Sequence, residues 1–520
     1  MDVPFLNWSV GALLKDARRQ APDRVALIVP AQEGRAERIW TYKDLLDHAE
    51  VCACALLSRF ASGDRVATWA VGSPEIIVLQ LGAALAGVVL VTLNPANRAV
   101  ELEYMLDQSG ACGIFLSREF RGLDNVATLE QVRAKLPKLT QIIYLDQWTD
   151  FIAGAKTVAL PDVAAGAPCL ILYTSGSTGK PKAAVLTHNG VVNSGALTAR
   201  RLNIPAGSVW LNLLPMFHVG GSVTMTLSCI ANVGTQILQT QFSPDGMLDA
   251  LDRYKVTVTM AVPTMLIGVM DSPNCGKANL SSLRAMTVGG TAVAPELVRR
   301  VKEKMGVEVR ALMGQTEASG TMFCTREGDD EFHVTKSVGF PLDLMEARIA
   351  STSDGSTLAH NDIGEICIRA AYRMREYFQM PEKTRDAIDA DGWLHTGDLG
   401  FMYSDGYVQI TGRLKEMIIR GGENIYPREI EDVLSEHPDV AQSAVFGLPD
   451  EKWGEIVAAA VLPRAGKTPN TEALAAFLQE RIARHKVPKV WKVVDAFPLN
   501  ASGKIQKFIL QEQFASEGRI

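Results

Sequence analysis

Apolar residues along this chain gather into short unbroken runs, separated by stretches in which they recur at helical spacing. The runs at 167–173, 256–262 and 283–288 read as strands buried on both faces, and Pro295–Met305 reads as a helix lying over them. That alternation predicts an α/β fold, with a large N-terminal domain of helix-covered, mostly parallel sheets. Residues 76–93 form an uncharged stretch of eighteen, which reaches the lower bound of about 17 to 25 for a membrane-spanning helix. Gly82 and Gly87 interrupt it, Val88 to Val91 favour a strand, and Asn94-Pro95 stops it. The expectation is therefore a buried helix turning into a buried strand, with no integral membrane segment. Past about residue 340 the texture changes to short strands and turns: Gly364–Ala370, then Ser404-Asp405-Gly406 leading into 407–411 as a hairpin. This predicts a β-rich subdomain closing the large domain. The last hundred residues mix helical stretches at 429–435 and 471–485 with a strand at 440–446, enough for a small α+β domain. The expected division is 1–412 and 413–520, with a hinge in the short polar joint Gly412-Arg413-Leu414-Lys415.

Composition narrows the function classes. A chain of 520 residues suggests two to four domains at about 150 residues each. With 47% hydrophobic and 21% charged residues it folds rather than remaining disordered. Fifty-two basic against 58 acidic side chains give a net charge of −6, which offers no field for a phosphate backbone, so nucleic acid is not expected as a partner. The eight cysteines are scattered, without a CxxC pair or a histidine cluster, and the first ten residues do not resemble a secretion signal. Reduced thiols and a cytoplasmic location are expected.

The strongest local signal follows the strand at 167–173. Thr174-Ser175-Gly176-Ser177-Thr178-Gly179-Lys180-Pro181-Lys182 is a loop whose backbone amides can approach an anion closely while hydroxyls and ammonium groups surround it. It is not a P-loop, because Thr174 stands where the first glycine belongs and Pro181 where Ser or Thr belongs. Nor is it a hydrolase nucleophile elbow, since Ser175 replaces the required glycine. A second cluster, Met313-Gly314-Gln315-Thr316-Glu317, follows a strand expected at 307–312, and Gly289-Gly290-Thr291 follows another. Ligands of open α/β sheets bind beyond the carboxyl ends of strands, so these loops can converge on one crevice. Glu317 there could hold Mg2+ against a triphosphate, or simply be a helix N-terminal charge. Three further motifs are Gly392-Trp393-Leu394-His395-Thr396-Gly397-Asp398, the segment 412–431, and Ala501-Ser502-Gly503-Lys504-Ile505-Gln506-Lys507.

In this order and spacing the five motifs resemble those of the adenylate-forming superfamily: acyl-CoA and aryl-CoA synthetases, firefly luciferases and the adenylation domains of peptide synthetases. The resemblance spans essentially the whole chain. It implies that ATP and a carboxylate give an acyl-adenylate and pyrophosphate, that a thiol then displaces AMP, and that Mg2+ accompanies the ATP. By that resemblance Thr174, Ser175, Gly176, Ser177, Thr178, Gly179 and Lys182 wrap the phosphates, Thr316 adds a phosphate contact, and Glu317 and Thr178 hold the metal. Gly290, Thr291, Met313, Gly314 and Gln315 line the adenine pocket, and Asp398 takes the ribose hydroxyls with Arg413 beside it. Lys504 bridges the substrate carboxylate and the α-phosphate. Lys415 matches the family's hinge, and Gly421 and Gly422 approach the pantetheine arm of CoA. Arg420 and a basic run (Arg481, Arg484, Lys486, Lys489, Lys492) could contact CoA phosphates or form a solvated helix face.

Two departures from the family pattern bear on nucleotide affinity: Ala183 follows Lys182 where glycine is usual, and Met313 replaces an aromatic residue. Pro215 to Gly221 resembles the wall of the acyl pocket, with His218 near the carboxylate entry or else buried in the core. Met260, Val262 and Met265 are apolar, and no Asp or Glu stands in these stretches to meet an ammonium, which argues against an amino-acid substrate. The expected activity is an ATP-dependent carboxylate:CoA ligase acting on a fatty or hydrophobic aryl acid. Alternatives are loading of a carrier protein in trans and a non-catalytic nucleotide sensor. The partners are small molecules, and a homodimer is allowed.

Overall fold

The computed structural model describes residues 3–31, 36–174, 180–289, 293, 295–421, 423–499 and 505–516. The chain forms two compact units. One comprises Met1–Ala347, Ile368–Leu394 and Gly406–Val408, the other Arg348–Cys367, His395–Asp405 and Gln409–Ile520.

Two large sheets build the first unit. One has nine strands in the order Phe340–Pro341, Gly320–Cys324, Val309–Gln315, Ala285–Gly289, Val258–Ala261, Val209–Asn212, Thr235–Leu238, Val25–Val29 and Arg38–Thr41. From Val309–Gln315 to Val25–Val29 its neighbours run parallel, and the pairings beyond these on either side are antiparallel. The other has seven strands, Glu376–Tyr377, Lys182–Thr187, Pro168–Thr174, Val89–Leu93, Arg65–Trp69, Gly113–Leu116 and Gln141–Tyr144. Its five strands from Pro168–Thr174 onward are parallel, which explains why they read as continuous apolar runs. The α/β expectation holds, and the helix Pro295–Met305 keeps its expected bounds.

The stretch 76–93 divides as expected. Helix Pro74–Ala86 is buried all round, Gly87 takes φ 69° at its C-cap, and strand Val89–Leu93 follows. Among the described residues no helix is long and apolar enough to cross a membrane. A four-stranded sheet orders Met345–Ala350, Gly364–Ala370, Leu394–Met402 and Val408–Arg413, with Gly406 at φ 89° in the expected hairpin turn.

In the second unit, the hairpin Val440–Asp450/Gly454–Pro463 anchors a five-stranded sheet packed by Ile430, Leu434, Leu474 and Leu478 on one side and by Leu510 and Phe514 on the other. Three expected elements change length, the helix expected at 429–435 beginning already at Pro427. The strand beginning at Val440 runs on to Asp450. The helix expected over 471–485 ends at Gln479, where Arg481 N closes a tighter three-residue turn on the Leu478 carbonyl (2.9 Å) and Ala483 is then extended.

Candidate active site

The hairpin stem that bears the hydroxyl- and glycine-rich loop is firmly set. Thr174 and Lys182 face each other as cross-strand partners, and the Thr174 hydroxyl donates to the Lys182 carbonyl at 3.5 Å. Tyr104 donates to the Pro181 carbonyl at 3.0 Å, and the Lys180 ammonium lies 4.9 Å from the centre of the same ring. Ser175, Gly176, Ser177, Thr178 and Gly179 lie outside the described residues, as do Gly290, Thr291, Gly422 and Lys504.

Lys182 leads into a contact that sequence reasoning missed. Its ammonium donates to the Tyr377 hydroxyl at 2.9 Å, and that hydroxyl donates to Glu317 Oε1 at 2.7 Å. Tyr377 is 2% exposed and comes from the short edge strand paired to Lys182–Thr187. Burial, reinforced by the Glu317 carboxylate, pushes its hydroxyl far above the ordinary tyrosine value, so it remains a donor. The half-buried Glu317 is fixed further by its backbone, whose carbonyl accepts from Met374 N at 2.7 Å. Two predicted site residues, one at the start of a strand and one in the 3-10 turn Thr316–Ala318, are thus joined through one tyrosine.

Strand Val309–Gln315 extends three residues beyond its expected end, so Met313, Gly314 and Gln315 are strand and not loop. The extension pairs Gly314 with Thr321 and Gln315 with Gly320. A Cβ at Gly314 would strike the Gly320 carbonyl, with its carbon only 2.9 Å away, which requires glycine at this close approach. Thr316 and Glu317 then occupy a short 3-10 turn, in which Ser319 N donates to the Thr316 carbonyl at 2.9 Å. Glu317 is therefore not at the start of an α-helix, and its macrodipole reading falls away.

His218 is exposed, which removes the buried-core reading. Its Nδ1 accepts from Gly220 N at 3.1 Å, and its carbonyl accepts from Ser222 Oγ at 2.9 Å. The chain then enters the π-helix Gly220–Met225, a rare conformation that recurs at functional sites. Val219, just before that helix, and Thr224 within it stand 3.8 and 3.2 Å from where a Gly320 Cβ would lie, which sets the His218 loop beside the Gln315–Gly320 turn.

The second unit holds the remaining predicted residues. The buried Asp398 carboxylate lies 3.2 Å from Arg413 Nε, so these two meet as expected. Behind Asp398, Glu365 accepts from Gly397 N at 2.9 Å and pairs with His395 Nδ1 at 2.8 Å, an anchor absent from the sequence reading. Lys415 is exposed in the 3-10 turn Leu414–Glu416. Gly421 takes φ 59° and donates to the Trp453 carbonyl at 2.7 Å, and a Cβ there would meet the Trp453 ring. Of the basic residues, Lys486 is held by both oxygens of Glu429 (2.7 and 2.8 Å), and Arg420 donates to the His485 carbonyl at 2.8 Å. They do not form one helix face.

The family profile described as AMP-binding enzyme matches residues 14–378, and the AMP-binding enzyme C-terminal domain matches 429–504. The chain belongs to the AMP-binding enzyme family. Among relatives, the putative acyl-CoA synthetase YngI of Bacillus subtilis is 34% identical over 98% of this chain and 97% of its own. The mitochondrial medium-chain acyl-CoA ligase ACSF2 of Rattus norvegicus is 33% identical over 98% of this chain and 88% of its own. The crystal structure of ATP-bound MatB from Rhodopseudomonas palustris superposes with a TM-score of 0.90 at 30% identity, covering 98% of this chain and 99% of that one. This AMP-binding enzyme is of the acyl-CoA ligase kind, as its motifs led one to expect.

Proposed function

We propose that this AMP-binding enzyme joins a fatty or hydrophobic aryl carboxylic acid to CoA in two steps, through an acyl-adenylate with release of pyrophosphate and then of AMP. The observation that carries the reading is the Lys182–Tyr377–Glu317 relay at the foot of the phosphate-type loop. It presents an ammonium and an oriented hard-oxygen carboxylate side by side, a donor set suited to a triphosphate and to Mg2+. Mg2+, when bound, neutralises phosphate charge, and Glu317 with Thr178 would hold it. In the same reading Thr174 to Gly179 and Lys182 hold the phosphates with Thr316, while Gly290, Thr291 and Met313 to Gln315 line the adenine site. Asp398 accepts from the ribose, with Arg413 Nε 3.2 Å from its carboxylate.

Attack of a carboxylate on the α-phosphate brings two anions together, so a placed ammonium favours the transition state over the ground state. Lys504 supplies it, and His218 steers the incoming carboxylate. Thioester formation follows a rotation of residues 413–520 against 1–412 about Lys415, which brings Gly421 and Gly422 to the pantetheine arm. The enzyme works in the cytoplasm, as a monomer or homodimer. The test is pyrophosphate release with short, medium and long fatty acids, benzoates and cinnamates, with and without CoA. Turnover that requires one acid class and rises with CoA supports the ligase. Pyrophosphate released once per enzyme and indifferent to CoA would shift the acceptor to a carrier protein.

A further inference from the structure

Lys507 opens the helix Lys507–Ser516, three residues after Lys504, and the reaction as described gives it no task. Its ammonium lies between two carboxylates, 2.9 Å from Glu416 Oε2 and 2.8 Å from Glu431 Oε1, with 18% of the side chain exposed. Burial pulls its pKa down, and Glu431 and Glu416 more than offset that, so it remains charged. Glu416 closes the 3-10 turn that contains Lys415, and Glu431 stands on helix Pro427–Ser435, where its Oε1 also accepts from Val445 N at 2.8 Å. Just before that turn, Arg413 is tied to Asp398 at 3.2 Å. Ion pairs within the second unit therefore flank Leu414 and Lys415 on both sides along the chain.

Folding alone does not call for this arrangement. The helix that begins at Lys507 is already seated by Leu510 and Phe514, the latter edge-on to Phe446 with ring centres 5.0 Å apart. An ammonium between two carboxylates at the end of a helix held by apolar packing is instead placed to define where a movable joint stops.

We propose that Lys507 is a positioning residue that pins the hinge turn to its own unit through Glu416 and Glu431 and confines rotation to Leu414 and Lys415. This rests on the reading above, in which the chain pivots at Lys415. A two-residue pivot returns to reproducible end points. Releasing Glu416 lengthens it, and the groups delivered by each rotation arrive with more scatter, where a misplacement of about 1 Å can cost about 100-fold in rate.

The test uses K507M, K507R, E416Q and the E416Q/K507M double variant. Two half-reactions are measured separately: pyrophosphate release, with kcat and KM for ATP, and thioester formation from supplied acyl-adenylate. K507M is expected to lower kcat in both by about 10- to 100-fold with KM for ATP unchanged. E416Q should reproduce the defect, the double variant should be no worse than the worse single, and K507R should recover most of the rate. If K507M lacks a normal melting transition, E416Q carries the test, since it alters the clamp outside the helix. Wild-type rates in K507M, additive losses in the double variant, or no recovery with arginine would each overturn the proposal while leaving the ligase reading intact. A wild-type chain that releases no pyrophosphate with any acid would remove the ligase reading and this proposal with it.

Discussion

Replacing Tyr377 by Phe deletes one oxygen atom from the centre of the candidate site. The ring and its packing stay, but Glu317 loses a donor at 2.7 Å and the Lys182 ammonium loses an acceptor at 2.9 Å. A hydrogen bond to a charged group contributes about 1.5 to 3 kcal/mol. Glu317 and Lys182 are half-buried, so water replaces part of what is lost, and the net loss of orientation falls near about 2 kcal/mol for the two bonds together. At 1.4 kcal/mol per factor of ten, that is about 30-fold. The assay is pyrophosphate release at saturating acid while ATP and Mg2+ are varied, with circular dichroism to check the fold. Expected are a drop of about 30-fold in kcat/KM for ATP and a higher Mg2+ requirement, on an intact fold. A wild-type rate with unchanged Mg2+ dependence would refute the relay as the organiser of the phosphate site.

Lys504→Ala should lower pyrophosphate release by about 10² to 10³, the usual effect of losing one charge-stabilising donor, while thioester formation from supplied acyl-adenylate persists; equal loss of both would contradict its role. Gly314→Ala should lower the melting temperature by driving strand Val309–Gln315 away from Gly320, and an unchanged transition would show that the strand end yields without penalty. His188 is fully buried, its Nδ1 accepts from Val10 N at 3.3 Å, and burial lowers its pKa from 6.5 to about 4. Because the unfolded chain takes up that proton first, stability is full above pH 6.5 and falls between 6.5 and 4, by about 3 kcal/mol at 1.36 kcal/mol per unit. Thermal melts of His188→Gln should show a shallower decline over that window, and an identical decline would assign the acid sensitivity elsewhere.

Periodicity located elements whose residues meet one kind of environment throughout. Helix Pro295–Met305 alternates faces cleanly, strand Gly364–Ala370 is bounded by turn residues, and the glycine at 87 announced the turn inside an otherwise continuous apolar stretch. It failed where tertiary pairing decides. Met313 to Gln315 are strand because Gly320–Cys324 folds back on them, and a glycine pair in close approach leaves no apolar signature. The helix beginning at Thr471 keeps its 3.6-residue pattern through Ile482, yet the chain turns at Leu478. Motif order pointed to Asp398 beside Arg413 and to Lys182 and Glu317 in one site, whereas Tyr377 and Glu365 sit in segments with no motif of their own. Their roles arise from which strands are neighbours, and the one available signal, a tyrosine in a short strand-like stretch, is common in any sheet.

In the proposed reaction ATP is split between the α- and β-phosphates to make a thioester. Its most direct measurement is a product analysis by chromatography and mass spectrometry of a reaction containing the enzyme, Mg-ATP, CoA and the acid that gives the fastest pyrophosphate release. AMP, pyrophosphate and acyl-CoA are expected in equal amounts, all abolished by omitting the acid. ADP and phosphate in place of AMP and pyrophosphate, or AMP formed without a thioester, would contradict it.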